Sequence, residues 1–275
     1  DRGCRFVCDF CSIHSFYGSN VRVRPIRRVV EELEQIDRKK LLFFVDDNLF
    51  STEENVKLLL AAIKPLKLNW SCQISIDIAR DKKMLDLMAE AGCKFTLIGF
   101  ESLNKDNLKE MRKNWNHVSG SYQDVVKELH QRGIGIYGTF VFGYDHDTVE
   151  TIRESLDFAI ESKLEIANFN PLTPTPASEL YNRLRDEGRM ISPEWWLDSN
   201  YRYGSPIFTP KLISAELMNE KCFEAKKEFY SWSSIGNRVL LSDTKFSFFG
   251  RSMSAVANII SRKEIYNKQG RALGC

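Results

Sequence analysis

The sequence predicts an α/β fold of parallel β/α units, and three observations carry that reading. Five short apolar runs read as buried strands, segments of helical periodicity separate them, and nearly every run ends in polar residues. Strand and helix alternate because a parallel connection must cross back over the sheet, and a helix makes that crossing.

In chain order the strand-like runs cover 41–45, 69–74, 95–99, 134–142 and 165–170. The stretches 27–40, 52–66, 82–91, 121–132 and 147–163 carry apolar residues at helical spacing beneath charged faces; Val29, Val30, Leu33 and Ile36 show the pattern. In parallel barrels, chemistry gathers where strands end. The first run leads into Asp46-Asp47-Asn48, the second into Ser75 and Asp77, the third into Glu101-Ser102. The fourth leads into Gly143-Tyr144-Asp145, and the fifth into Asn168, Asn170 and the proline-rich segment 171–176. One rim is therefore expected to carry carboxylates, hydroxyls and amides.

Each rim segment also has a plain structural reading. Asp46-Asp47-Asn48 is equally a turn before a helix capped by Ser51 or Thr52, with Glu53 and Glu54 at its positive end. Glu101 is equally a solvated residue ahead of a cap at Ser102 or Asn104. The glycines of Gly138-Thr139-Phe140-Val141-Phe142-Gly143 equally mark close packing or a bulge.

Composition narrows the function classes. Lys and Arg number 39 against 37 Asp and Glu, and a net charge of +2 leaves no footprint for nucleic acid or an anionic membrane. With 43% hydrophobic residues in 275, the chain can bury a substantial core. No apolar run approaches the ~18 residues of a membrane span. Seven cysteines are too few for a disulfide scaffold and no secretory leader is visible, so the cytoplasm is the expected compartment. The chain starts at Asp1 with a cysteine loop almost at once, so an anchoring strand upstream is expected to be missing.

That loop holds Cys4, Cys8 and Cys11 in a C-x3-C-x2-C arrangement. Three clustered thiolates can hold a soft metal or an iron–sulfur cluster, one ligand short of a closed cluster site. An open iron is free to bind a substrate or cofactor. Together with His14 the same cysteines offer a Cys3His zinc site. An electron-transfer centre would need a fourth cluster ligand.

With Phe10 just before Cys11, the motif resembles the signature of the radical S-adenosylmethionine (SAM) superfamily. The resemblance implies that Cys4, Cys8 and Cys11 bind a [4Fe–4S] cluster whose fourth iron takes the amino and carboxylate groups of SAM. Reductive cleavage of SAM then gives methionine and a 5′-deoxyadenosyl radical, with an electron donor such as flavodoxin or ferredoxin. The implied fold is a partial (β/α)6 barrel, here lacking its first strand, with the barrel core at 1–190 and an aromatic-rich, mainly helical C-terminal extension at 191–275.

Site residues follow by the same resemblance. Phe10 stands beside the cluster. Asp46 and Asp47 replace a Gly-Gly-Glu segment that accepts a hydrogen bond from SAM's amino group, and Ser75 shares their rim. Glu101 matches the ribose contact, Gly143 closes the glycine motif that lets adenine approach, and Asn170 opens the loop that covers adenine. No catalytic residue is assigned beyond the cluster.

The remaining singled-out residues have simpler readings. Cys72 and Cys93 read as core fillers, Arg22, Arg24, Arg27 and Arg28 as a solvated basic loop and helix start, and His117, His130 and His146 as too scattered to form a site. Beyond Pro176, aromatics such as Tyr181, Trp195, Trp196, Tyr201, Tyr203, Phe223, Phe229 and Trp232 either close the barrel mouth over an apolar substrate or form the core of a helical appendage.

Asp1-Arg2-Gly3-Cys4 and the segments 44–50, 73–79, 88–93 and 171–181 resemble cobalamin-binding-type radical SAM proteins with a domain-of-unknown-function tail, a set that includes hopanoid methyltransferases. Such proteins usually carry a cobalamin domain ahead of the barrel. The implied activity is methylation of an unactivated carbon of a small molecule, with methylcobalamin delivering the methyl group. A radical SAM oxidoreductase or ring-former without methyl transfer is the alternative.

Overall fold

The computed structural model describes all residues except 51, 118–120, 243, 247 and 273–275, so the cap expected at Ser51 lies outside the described residues. Five parallel strands pair in chain order: β1 Leu41–Phe44, β2 Asn69–Ile74, β3 Cys93–Glu101, β4 Gly135–Phe142 and β5 Ile166–Pro171. All five expected strands are present, within a few residues of the apolar runs. Register runs Leu41 to Asn69, Ile74 to Ile98, Thr96 to Ile136 and Tyr137 to Ile166.

The helices are α1 Ser12–Tyr17, α2 Ile26–Leu33, α3 Glu53–Ile63, α4 Lys82–Glu90, α5 Lys105–Glu110, α6 Tyr122–Gln131, α7 Val149–Glu161, α8 Glu179–Asp186, α9 Ala215–Phe229, α10 Trp232–Leu240 and α11 Phe248–Lys268. Local chemistry sets their starts. Asp81 accepts the Met84 N–H ahead of α4, Ser121 and Asp124 form a capping box on α6, and Thr148 caps α7. Thr52 occupies the cap position of α3, with Glu53 and Glu54 in the first turn.

The helix expected over 27–40 stops at Leu33. Beyond it the N–H groups of Gln35 and Ile36 reach only the carbonyls of Glu32 and Leu33, and Asp37 takes the Lys39 N–H at 3.0 Å. That side-chain turn competes with the helix. Pro65 converts the end of the expected 52–66 helix into a 3₁₀ turn over Lys64–Leu66.

Along β3, β4 and β5 fully buried residues alternate with half-buried ones, so the densest core lies on one face of the sheet, and Cys72 and Cys93 are buried as expected. Phe100, Phe140 and Phe169 stack across β3, β4 and β5 with centroids 5.5 and 5.3 Å apart, and Phe229 of α9 meets Phe169 edge-on at 5.7 Å. Each such pair adds about 0.5–1.5 kcal/mol beyond area burial. The C-terminal helices are tied to the foot of β5 through buried Arg238. Its guanidinium donates to the carbonyls of Leu164, Glu165 and Phe229 at 2.8–3.0 Å and lies 3.6 Å over the Phe229 ring. Of the expected core aromatics, Tyr181 and Phe229 are buried, whereas Trp232 is exposed.

Among the described residues the outer edge of β1 pairs with no strand. A groove of about 520 Å³ runs along that edge, lined by Arg22, Ile26, Val29, Leu42, Phe44 and Leu59 among others.

Candidate active site

The loop carrying Cys4, Cys8 and Cys11 lies across the C-terminal rim of the sheet and is fastened at every strand. At the end of β1, Asp47 Oδ2 accepts the Gly3 N–H at 2.8 Å and the Asn48 amide points at Cys4 Sγ at 3.9 Å. Past β2, Ser75 Oγ accepts the same Asn48 amide at 3.0 Å and Asp77 pairs with Arg5. Past β3, Phe6 stacks on Trp115 with centroids 3.9 Å apart. Past β4, buried Tyr144 donates its hydroxyl to Asp9 Oδ1 at 2.5 Å, and past β5 the Leu180 N–H meets the Asp9 carbonyl at 3.0 Å.

The three cysteines are unpaired and partly buried, close enough to feel one another's charge. Burial pushes the Cys8 thiol up to about 12 while Lys113 pulls it down. Burial also raises Cys11, against the backbone N–H groups of Ile13 and His14 at the start of α1. The donor set fits an iron–sulfur cluster: soft sulfurs on one loop, faced by N–H groups, an amide and an ammonium that favour the thiolate form. Among the described residues no group of three or more His, Cys, Asp or Glu side chains converges on a single metal position, Cys4, Cys8 and Cys11 included, so it is the spacing and softness of the three sulfurs that point to the cluster.

Lys113, which sequence reasoning missed, stands at the centre of this charge pattern. It is buried, its Nζ donates to Glu101 Oε1 at 2.9 Å and to the Gly99 carbonyl at 3.2 Å, and it lies 5.1 Å from the Trp115 ring centre. Glu101 is therefore not the solvated residue of the simpler reading: it is 8% exposed and ion-paired. Its backbone is left-handed at φ 60°, where β3 slips register against β4. Few non-glycine residues hold that conformation, and such strain concentrates at functional sites. A side chain at Gly99 would collide with the Glu101 carboxylate. Asn104, not Ser102, caps α5 by accepting the N–H groups of Asp106 and Asn107.

Gly143, at φ 122°, begins the turn after β4. Buried Asp147 holds that turn by accepting the N–H groups of Gly143 and Tyr144 at 2.8 and 3.0 Å, together with Asn107 Nδ2 and Thr151 Oγ1. Burial pushes Asp147 up to about 6 against those bonds. Asp147→Ala is expected to cost about 1–3 kcal/mol, because two orphaned N–H groups outweigh the relief of a buried carboxylate. Urea unfolding measures it, with iron bound per folded molecule unchanged.

The remaining rim candidates divide. Phe10 meets the Tyr144 ring edge-on at 6.5 Å beside the cysteine loop. Asp46 lines the groove along β1. Asn170 lines a separate cavity of about 160 Å³ at the end of β5. Gly138 faces Leu164 and Phe100, so its missing side chain serves core packing. The 520 Å³ groove includes none of the cysteines, Glu101 or Lys113.

A family model described as the radical SAM superfamily matches residues 2–159. The chain belongs to the radical SAM superfamily. Membership implies a [4Fe–4S] cluster and SAM as cofactors, in keeping with the cysteine loop. The bacteriochlorophyllide d C-12(1)-methyltransferase of Chlorobaculum tepidum is 32% identical over 243 residues, spanning 86% of this chain and 52% of that protein. The hopanoid C-2 methylase of Rhodopseudomonas palustris is 28% identical over 198 residues, spanning 69% of this chain and 37% of that one. The solved structure of the radical SAM methyltransferase TsrM from Kitasatospora setae, with cobalamin and a [4Fe–4S] cluster bound, matches with a TM-score of 0.66. It covers 96% of this chain and 59% of that one at 15% identity, a likeness of fold. The chain spans about half the length of the first two curated relatives it matches. Among the described residues no helix is long and apolar enough to cross a membrane.

Proposed function

We propose that this chain is the SAM-cleaving barrel of a cobalamin-dependent radical methylase acting on an unactivated carbon of a small molecule. The observation that carries the proposal is the seating of Cys4, Cys8 and Cys11 over the rim beside Glu101 and Lys113. The methyltransferase names of the relatives support the methyl-transfer half of it.

In this reading Cys4, Cys8 and Cys11 hold the cluster, and Phe10 shields it from one side. Asp47 and Ser75 keep the loop and its amide in place while offering acceptors toward SAM's amino group, and Asp46 extends that acidic wall. Glu101 gives Oε1 to Lys113 and has its second carboxylate oxygen for the ribose hydroxyls. Gly143 and Asn170 border the adenine. When bound, the cluster and SAM supply the radical that activates the substrate carbon, and cobalamin supplies the methyl group. The core at 1–190 would carry this chemistry, with 191–275 closing over the substrate. Upstream sequence would contribute a strand along the open edge of β1 and a cobalamin domain, and a flavodoxin or ferredoxin the electron. The free, unpaired thiols fit the reducing cytoplasm.

The test is electron paramagnetic resonance of the anaerobically reconstituted, reduced protein with and without SAM. A reduced [4Fe–4S] signal that shifts with SAM is the expected result. A signal indifferent to SAM, or bound zinc without iron, would overturn it. Cobalamin content of the full-length protein separates methyl transfer from ring formation or oxidation.

A further inference from the structure

The cavity at the end of β5 holds a lysine charge with no acidic side chain among its lining residues. Lys226, on α9, is 7% exposed and lines this cavity, yet among the described residues its ammonium makes no hydrogen bond or ion pair. Its recorded neighbour is the face of Tyr203, 5.6 Å from Nζ. No Asp or Glu lines the cavity, whose polar walls are amides and phenols such as Asn170, Gln269, Tyr201 and Tyr203. The stem of Lys226 is covered while its ammonium opens onto the cavity without a protein partner, which leaves it free to meet an anion that enters from outside.

We infer that Lys226 is the anchor for a carboxylate on the substrate, with the cavity at the end of β5 as its acid-binding subsite. The identification of the occupant as substrate rests on the function proposed above. A volume of about 160 Å³ is smaller than a whole small-molecule site, so the cavity takes the acid end while the rest of the molecule lies along the rim. Phe208 and Met218 form an apolar wall, and they reach it because Gly143 has no side chain: a Cβ there would stand 2.5 Å from Phe208 Cζ. Asn219 Oδ1, buried and without a partner, adds an acceptor for a water or a ligand hydroxyl.

Binding of 3-phenylpropionate, its neutral amide and phenyl phosphate to the reconstituted protein, measured by calorimetry, tests this. The acid is expected to bind at least about tenfold tighter than the amide, a charge-assisted bond against a neutral one. Lys226→Met should erase that preference and Lys226→Arg keep part of it, while SAM affinity stays unchanged in both, which separates a substrate acid from SAM's own carboxylate. Lys226→Met should unfold at the wild-type temperature or above, since the ammonium it removes makes no bond within the protein and the new side chain keeps the covered stem; a purely structural lysine would lower it. Equal affinity for acid and amide, binding of neither, or a preference that survives Lys226→Met overturns the inference, and tighter binding of phenyl phosphate reassigns the subsite to phosphate. If Lys226→Met fails to fold, the wild-type comparison and Lys226→Arg decide. An acid preference in a protein whose cluster ignores SAM would sink the proposed function and leave the anion site standing.

Discussion

Alanine at Cys4, Cys8 or Cys11 is expected to abolish the cluster and, with it, SAM cleavage. Iron content and the visible absorbance of the reconstituted protein should collapse for each single variant, and turnover should fall at least about 1,000-fold, as when a group essential to the chemical step is removed. The contrast is Cys72→Ala. Cys72 lies fully buried on β2, paired in register with Thr96, and its loss leaves only a small cavity. A Cys8 variant that kept iron and turnover would dismiss the cluster assignment, whereas loss of iron in Cys72→Ala would mean the fold itself had failed.

Glu101→Gln should weaken SAM binding by about 10- to 100-fold, the loss of about 1.5–3 kcal/mol from a hydrogen bond to a charged group. The amide keeps an oxygen for Lys113, so iron content and the SAM-free spectrum should not change. Alanine would be a poorer probe, because removing one partner of a buried ion pair costs about 3–5 kcal/mol by itself. SAM titration followed by the spectral shift of the reduced cluster gives the answer. Unchanged affinity would return Glu101 to a purely structural partner of Lys113.

The strands were legible because each is an apolar run ended by polar residues, and the parallel order follows from the helices between them. Cys4, Cys8 and Cys11 were legible because the motif is local in sequence. Lys113 was not: it follows α5 in Met111-Arg112-Lys113-Asn114, and only the slipped end of β3 brings it to Glu101, 12 residues earlier. Tyr144 was seen as part of the rim, but its partner Asp9 lies 135 residues away, a pairing no local pattern encodes. Helices α1 and α5, six residues each, are too short to show a periodicity. The end of α2 was misjudged because the apolar spacing continues to Ile36 while Asp37 has already turned the chain.

Strand order equal to chain order has a consequence for how the protein is made. Each β/α unit can dock on the one before it as it leaves the ribosome, without waiting for a distant strand. The cysteine loop is the exception. It emerges among the first residues described, but its seat is closed only when Tyr144 and then Leu180 arrive to hold Asp9. Until then the loop has only its ties to the ends of β1, β2 and β3, and the half that carries Cys8 and Cys11 is the last to be held. The full set of ties around Asp9 exists only once residue 180 has been made, so oxygen met before that point would act on the loop while it is least protected.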